Sequence, residues 1–92
     1  MAHEFQFRLN RNGDAPDTLK SEFVAVHEAA MRLEDALNRM TLHGRNYQTL
    51  DDPLASFHKD RDAYVAVREQ ALAVKDWAMD GVVAVIRQRE GL

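Results

Sequence analysis

Apolar side chains recur along the first half of the chain at alternating intervals of four and three residues. The series is Leu19, Phe23, Val26, Ala30, Leu33, Leu37 and Met40. Such a heptad repeat is typical of an amphipathic helix with a narrow apolar seam. Asp17 or Thr18 can cap the N-terminus of this helix, and Gly44 stands where a left-handed residue would end it. We therefore predict a first helix over residues 18–43.

A second helical region is expected over residues 53–89, after a loop at residues 44–52. Asp52 is a good N-cap and Pro53 fits the first helical position, whereas a break near residues 60–62 remains an alternative. Two apolar stripes follow this region: Tyr64, Val67, Ala71, Val74, Ala78, Val82 and Val85, and also Val65, Leu72, Met79 and Ile86.

One partner helix covers a single stripe of about 100°. The second stripe therefore indicates an interface, and we predict a homo-oligomer in which this helix packs against its copies. The alternative is that Leu54 and Phe57 fold back over the second stripe as a short third helix.

Residues 1–16 are predicted to form an extended arm or strand. Phe5, Phe7 and Leu9 alternate with polar residues, which is strand periodicity. The chain offers no second strand, so this segment either pairs with its copy in another subunit or lies as an extended arm across the helices.

These patterns predict an all-α fold, an antiparallel helical hairpin with a short N-terminal extended strand. Its 92 residues, 46% of them hydrophobic, make one domain near the small end of what folds unaided. A chain of this size favours support from a partner subunit.

Composition narrows the classes of partner. With 12 Lys+Arg against 15 Asp+Glu, the chain lacks the basic excess of a duplex-binding surface, so we expect no DNA partner. The absence of cysteine excludes a disulfide framework and cysteine metal sites. No N-terminal signal pattern and no apolar run near 20 residues occur, so we expect a cytoplasmic protein without membrane contact.

Catalytic signatures are also missing from the sequence. The four histidines share no zinc spacing, and no phosphate loop or nucleophile motif occurs. Glu69, Asp76 and Asp80 lie on roughly one helical face, but the paired acidic motifs of helical nucleotide pyrophosphohydrolases do not occur. We expect no enzyme activity, no cofactor and no metal.

The loop segment LHGRNYQTLDDP is the densest group of ligand-type side chains. His43, Arg45, Asn46 and Tyr47 lie within five positions. His43 and Arg45 at a helix C-terminus are also suited to satisfying the last carbonyls, and Tyr47 to packing against the end of the helix pair.

The stretch VREQALAVKDWAMDGVVAVI, residues 67–86, resembles the closing helix of the hairpin in phage-encoded cyclic-nucleotide sponge proteins. That family includes the anti-CBASS sponge and the helical part of one anti-Thoeris sponge. The resemblance covers roughly the last 30 residues and rests on the pattern Arg-Glu-x-Ala-Leu-Ala-Val. It implies a small symmetric homo-oligomer, with a hexamer as one arrangement, that binds host cyclic oligonucleotide signals in the host cytoplasm without cleaving them.

The resemblance also implies where the ligand binds. In the family, a tyrosine and a lysine near the first helix and an arginine on the last helix hold the ligand between subunits. His27 stands nearest to that lysine, and Arg68 or Lys75 stands for the arginine, depending on register. The family's N-terminal tyrosine has no counterpart here, so Tyr47 and Tyr64 are the substitutes.

A cyclic dinucleotide requires a stacking plane, positive charge near phosphate, and polar groups for the base edges. The predicted ligand-binding set is Tyr47, Arg45, Asn46, His43, His27, Arg68 and Lys75. The expected function is a phage anti-defence protein that sequesters these signals. The alternative is a small helical interaction module that inhibits a host complex through its apolar second helix.

Overall fold

The chain forms an antiparallel pair of helices in a computed structural model that describes residues 3–9, 16–42 and 44–91. Helix α1 spans Pro16–Arg39 and helix α2 spans Pro53–Gly91, with a 3₁₀ turn at Gly44–Tyr47 between them. At one end of the pair Arg89 binds Asp17, with 2.5 Å between Nη1 and Oδ1. The predicted helical hairpin is confirmed, and the described residues contain no strand. Assembly into a homo-oligomer stays a prediction.

Helix α1 ends four residues before the predicted boundary at residue 43. The Met40 amide donates to the Leu37 carbonyl at 3.1 Å, a three-residue closure that tightens the last turn. Gly44 begins the 3₁₀ turn, and no glycine in the described part of the chain has a positive φ. The expected left-handed end at Gly44 is therefore wrong. Helix α1 also starts earlier than predicted, which places Asp17 inside its first turn.

Helix α2 is continuous, without a break near residues 60–62. Asp52 caps it, because its Oδ1 accepts the Ala55 amide hydrogen at 3.1 Å and its carbonyl accepts that of Ser56 at 3.1 Å. Leu54 and Phe57 belong to the first turns of this helix and do not form a separate third helix.

The two helices pack through small residues. Ala30 of α1 and Ala71 and Ala78 of α2 are buried, as are Phe23, Val82 and Val85. The predicted seam of α1 is divided between environments: Leu19 and Leu37 are half-buried, whereas Val26, Leu33 and Met40 are exposed. The buried part of the isolated chain is thus a narrow strip.

Helix α2 has 39 residues and α1 has 24, so α2 extends beyond its partner. The 3₁₀ turn contacts this extension, and the molecule is 64 Å long and 21 × 16 Å in section. Neither helix in the described ranges has a stretch long and apolar enough to cross a membrane.

Residues 3–9 lie across the helices as an arm, which was the second of the two predicted arrangements. Phe5, Phe7 and Leu9 pack against the cluster of Phe23, Val82 and Val85. The Gln88 amide group holds the arm at two points: its Nε2 donates to the Phe7 carbonyl at 2.9 Å, and its Oε1 accepts the Leu9 amide hydrogen at 2.9 Å. One side chain thereby satisfies backbone groups that a second strand would otherwise pair.

Candidate ligand-binding site

Tyr47 anchors the 3₁₀ turn to the extended end of α2. Its hydroxyl donates to Asp60 Oδ2 at 2.8 Å, and its ring meets Phe57 edge to face with 5.5 Å between centroids. The Tyr47 carbonyl in turn accepts the Leu50 amide hydrogen at 3.1 Å. The aromatic side chain predicted as a stacking plane therefore also fixes the loop.

The hydrogen bond to Asp60 raises the pKa of the Tyr47 hydroxyl above its ordinary value. Partial burial and the negative charge of Asp60 act in the same direction. Ionising Tyr47 removes the donated hydrogen and places a second negative charge beside Asp60. The protonated phenol is therefore the form that holds the turn.

Arg45 and Asn46 are exposed on the anchored turn. Their side chains make no ion pair or hydrogen bond to another residue in the part of the chain that the structure describes. The turn presents a guanidinium and an amide on a fixed backbone. His43, the fourth predicted loop residue, lies outside the described residues.

Lys75 is paired with α1. Its Nζ lies 2.7 Å from Glu34 Oε2. The hydrogen bond to Glu34 raises the pKa of the Lys75 ammonium group, with smaller contributions from the charges of Glu34, Asp76 and Asp35 opposed by partial burial. A phosphate that bound Lys75 would have to compete with Glu34.

The Lys75–Glu34 pair identifies one side of the hairpin, which we call the charged side. His27 lies seven residues before Glu34, and Arg68 lies seven residues before Lys75, so each follows its neighbour along the same side of its helix. His27 is half-buried and Arg68 is exposed. Three predicted ligand residues, His27, Arg68 and Lys75, therefore share the charged side.

The Tyr47 turn lies farther along this side. Its contact Phe57 precedes Arg68 by eleven residues, close to three helical turns, which is about 16 Å along the axis. Arg68 and Lys75 are about 10 Å apart along the same axis. The structure aligns these groups in a row and does not gather them into one pocket.

The residues that hold the arm were missed by the sequence reasoning. Gln88 binds the backbone of the arm, and Asp80 Oδ2 accepts the His3 amide hydrogen at 3.0 Å. A shallow cleft there is lined by His3, Asp80 and Arg87 among others. The position of Gln88, a polar residue next to the apolar stripe of α2, was the sequence feature that could have indicated this contact.

Metal-ligand geometry does not occur among residues 3–9, 16–42 and 44–91. No group of three or more histidine, cysteine, aspartate or glutamate side chains there is placed to hold an ion. No protein-family model, curated protein or solved structure matches this chain. The resemblance of residues 67–86 to the sponge proteins stays an expectation from the sequence.

Proposed function

We propose that this protein is a phage anti-defence protein that binds and sequesters host cyclic oligonucleotide immune signals without cleaving them. The resemblance of residues 67–86 to the sponge proteins supplies the ligand class. The observation that carries the proposal is the row of His27, Arg68 and Lys75 on the charged side, with the anchored Tyr47 turn in line with it.

Arg68 is the phosphate-binding residue in this proposal. It is exposed and forms no ion pair with the described residues, whereas Lys75 is occupied by Glu34. A guanidinium can pair with phosphate through two parallel hydrogen bonds and can also stack on a base. The proposal therefore assigns the role of the family's arginine to Arg68 and not to Lys75.

Arg45 and Asn46 supply the second set of contacts. The backbone that carries them is held by Tyr47, so little loop ordering has to accompany binding. The amide of Asn46 can read a base edge and Arg45 can pair with a phosphate.

The test is capture of intact ligand. The purified protein is incubated with a panel of cyclic di- and trinucleotides and nicotinamide-derived cyclic signals, washed, and heat-denatured to release what it holds. We expect one class to be recovered chemically unchanged. Time-dependent appearance of linear product, or no retained nucleotide, contradicts the proposal.

Arg68→Ala locates the site. Loss of a charge-assisted hydrogen bond of about 1.5 to 3 kcal/mol corresponds to roughly a 10- to 150-fold loss of affinity. Arg32→Ala is the matched control, because Arg32 is an exposed arginine of α1 outside the row. Equal affinities for the two variants would place the phosphate contact elsewhere.

The second candidate is a helical module that inhibits a host complex. It is favoured by the exposure of Val65, Val67, Val74 and Met79 along α2. In that case the panel returns no nucleotide, and Val74→Glu abolishes inhibition of the host complex while Arg68→Ala has no effect.

A further inference from the structure

The side of the hairpin opposite the charged side has an exposed apolar surface. Ala30 on α1 and Ala71 and Ala78 on α2 mark the line of contact between the helices. Glu34 and Lys75 meet on one side of that line. Leu33 and Val74, each one position earlier in the chain, therefore flank the buried alanines on the other side.

We call this surface the uncharged face. Its large side chains are all exposed and follow helical spacing: Val26, Leu33, Met40, Val67, Val74 and Trp77. Between them lie exposed small or neutral residues: Ala29, Ala36, Ala63, Ala66, Gln70 and Ala73. No aspartate, glutamate, lysine or arginine interrupts these two rows, although such residues make up 29% of the chain.

The isolated chain exposes much more surface than its mass requires. Its accessible surface is 7190 Å² for 10.5 kDa, whereas a compact monomer of that mass exposes about 5,400 Å². The radius of gyration is 19.5 Å against about 12 Å for a compact domain of this length. The excess of about 1,800 Å² exceeds the roughly 800 Å² that each partner buries in a standard interface.

The small core indicates that the partner that covers the uncharged face is bound whenever the chain is folded. Only Phe23, Val82 and Val85 are large buried side chains among the described residues. So small a core is marginal for independent folding. A second copy of the chain is available whenever the chain is made, and an uncharged face needs no complementary charge to pair with itself.

We infer that the uncharged face is the interface with a second copy of this chain, and that two hairpins pack there as a four-helix bundle. The exposed alanines let the helices of the two copies approach closely, with the large residues interdigitating between them. The N-terminal arm, whose Phe5 contacts Trp77 with 5.4 Å between centroids, borders this interface at one end. The charged side then remains open to solvent on both copies.

Mass measurements on a matched pair of variants test the interface. Leu33 and Met31 are both half-exposed on α1, at 50% and 47%, but two residues of helix separate their directions by about 160°. The masses are measured by light scattering at a protein concentration of about 50 to 100 µM. We expect the wild type and Met31→Glu to have at least twice the 10.5 kDa chain mass. Leu33→Glu should return toward the chain mass. A monomeric wild type, or equal masses for the two variants, overturns the inference.

Thiol protection keeps the test decisive where Leu33→Glu fails to fold. The chain has no cysteine, so Leu33→Cys and Met31→Cys each introduce a single probe. We expect iodoacetamide to modify Leu33→Cys at least tenfold more slowly than Met31→Cys at high protein concentration, with the difference vanishing on dilution. Equal rates at all concentrations overturn the inference. Neither measurement involves a nucleotide, so both test the interface independently of the proposed ligand binding.

Discussion

At Gly81 of α2, the ring of Phe23 from α1 fills the space that a side chain would occupy. A Cβ at this position would overlap the ring of Phe23, so one of the two groups would have to move. We predict that Gly81→Ala destabilises the protein by up to about 2 kcal/mol, because overpacking costs about 1 to 3 kcal/mol and helix propensity returns only about 1 kcal/mol of it. Urea denaturation monitored by circular dichroism measures the change.

Phe23→Leu provides the control for this prediction. It reduces the ring volume above Gly81, so Gly81→Ala should cost less in the Phe23→Leu background than in the wild type. A Gly81→Ala protein that is more stable than the wild type would show that the ring and backbone separate without cost.

Tyr47 and Asp60 make a prediction about pH. The pKa of Tyr47 is raised, so the contact stabilises the folded chain fully below the ordinary tyrosine pKa near 10 and is lost as pH rises through the folded value. In a Tyr64→Phe background, Asp60→Ala should lower the pKa of Tyr47 toward 10, as measured by phenolate absorbance.

Asp62→Ala is the matched control for Asp60→Ala. It removes the same charge two residues away, where the carboxylate does not accept the Tyr47 hydroxyl. An equal pKa change in the two variants would assign the effect to general charge and not to the hydrogen bond.

At the scale of single residues, the candidate site was partly predictable from the sequence. The seven-residue interval between Arg68 and Lys75 alone places both on one side of a helix. The pairing of Lys75 with Glu34 and of Tyr47 with Asp60 joins residues from different elements. Local spacing contains no information on such pairs, because they depend on the register of the two helices.

At the scale of elements, a single side chain stabilises the start of α2. The carboxylate of Asp52 accepts the Ala55 amide hydrogen, whereas the carboxylate of the neighbouring Asp51 does not. We predict that Asp52→Ala costs about 0.5 to 2 kcal/mol of stability. Asp51→Ala removes an equal charge and should lower the stability much less. The midpoints of urea denaturation of the two variants are compared. Equal midpoints would show that Asp52 does not stabilise the helix as its N-cap.

The helices themselves were largely predictable because apolar spacing and caps are local signals. The start of α2 at Pro53 follows from the Asp52-Pro53 pair. The end of α1 at Arg39 does not, because Met40 continues the apolar repeat into the closing turn. The alternating pattern at Phe5 and Phe7 correctly predicted that one side of this segment is buried. The segment buries that side as an arm against the helices and not as a strand.

For the whole molecule, the two sides of the hairpin differ in charge. The side marked by Glu34 and Lys75 carries their ion pair and the exposed guanidinium of Arg68. The side of Leu33 and Val74 presents an uncharged apolar surface. A hairpin only 16 Å thick buries too little by itself, so its folding and its assembly are expected to be one process.

Coupled folding and assembly makes stability depend on concentration, and this is the prediction for the whole molecule. For a dimer, each tenfold increase in protein concentration adds about 1.4 kcal/mol per dimer to the free energy of unfolding. For a complex of this size that corresponds to a rise in Tm of about 3 to 6 °C. Scanning calorimetry over two decades of concentration should show this rise in the wild type and in Met31→Glu, which leaves the uncharged face intact. Leu33→Glu, which cannot assemble through that face, should show no cooperative melting transition over the same range. A wild-type Tm that is constant over the same range would mean that the narrow core around Phe23, Val82 and Val85 suffices for a single chain.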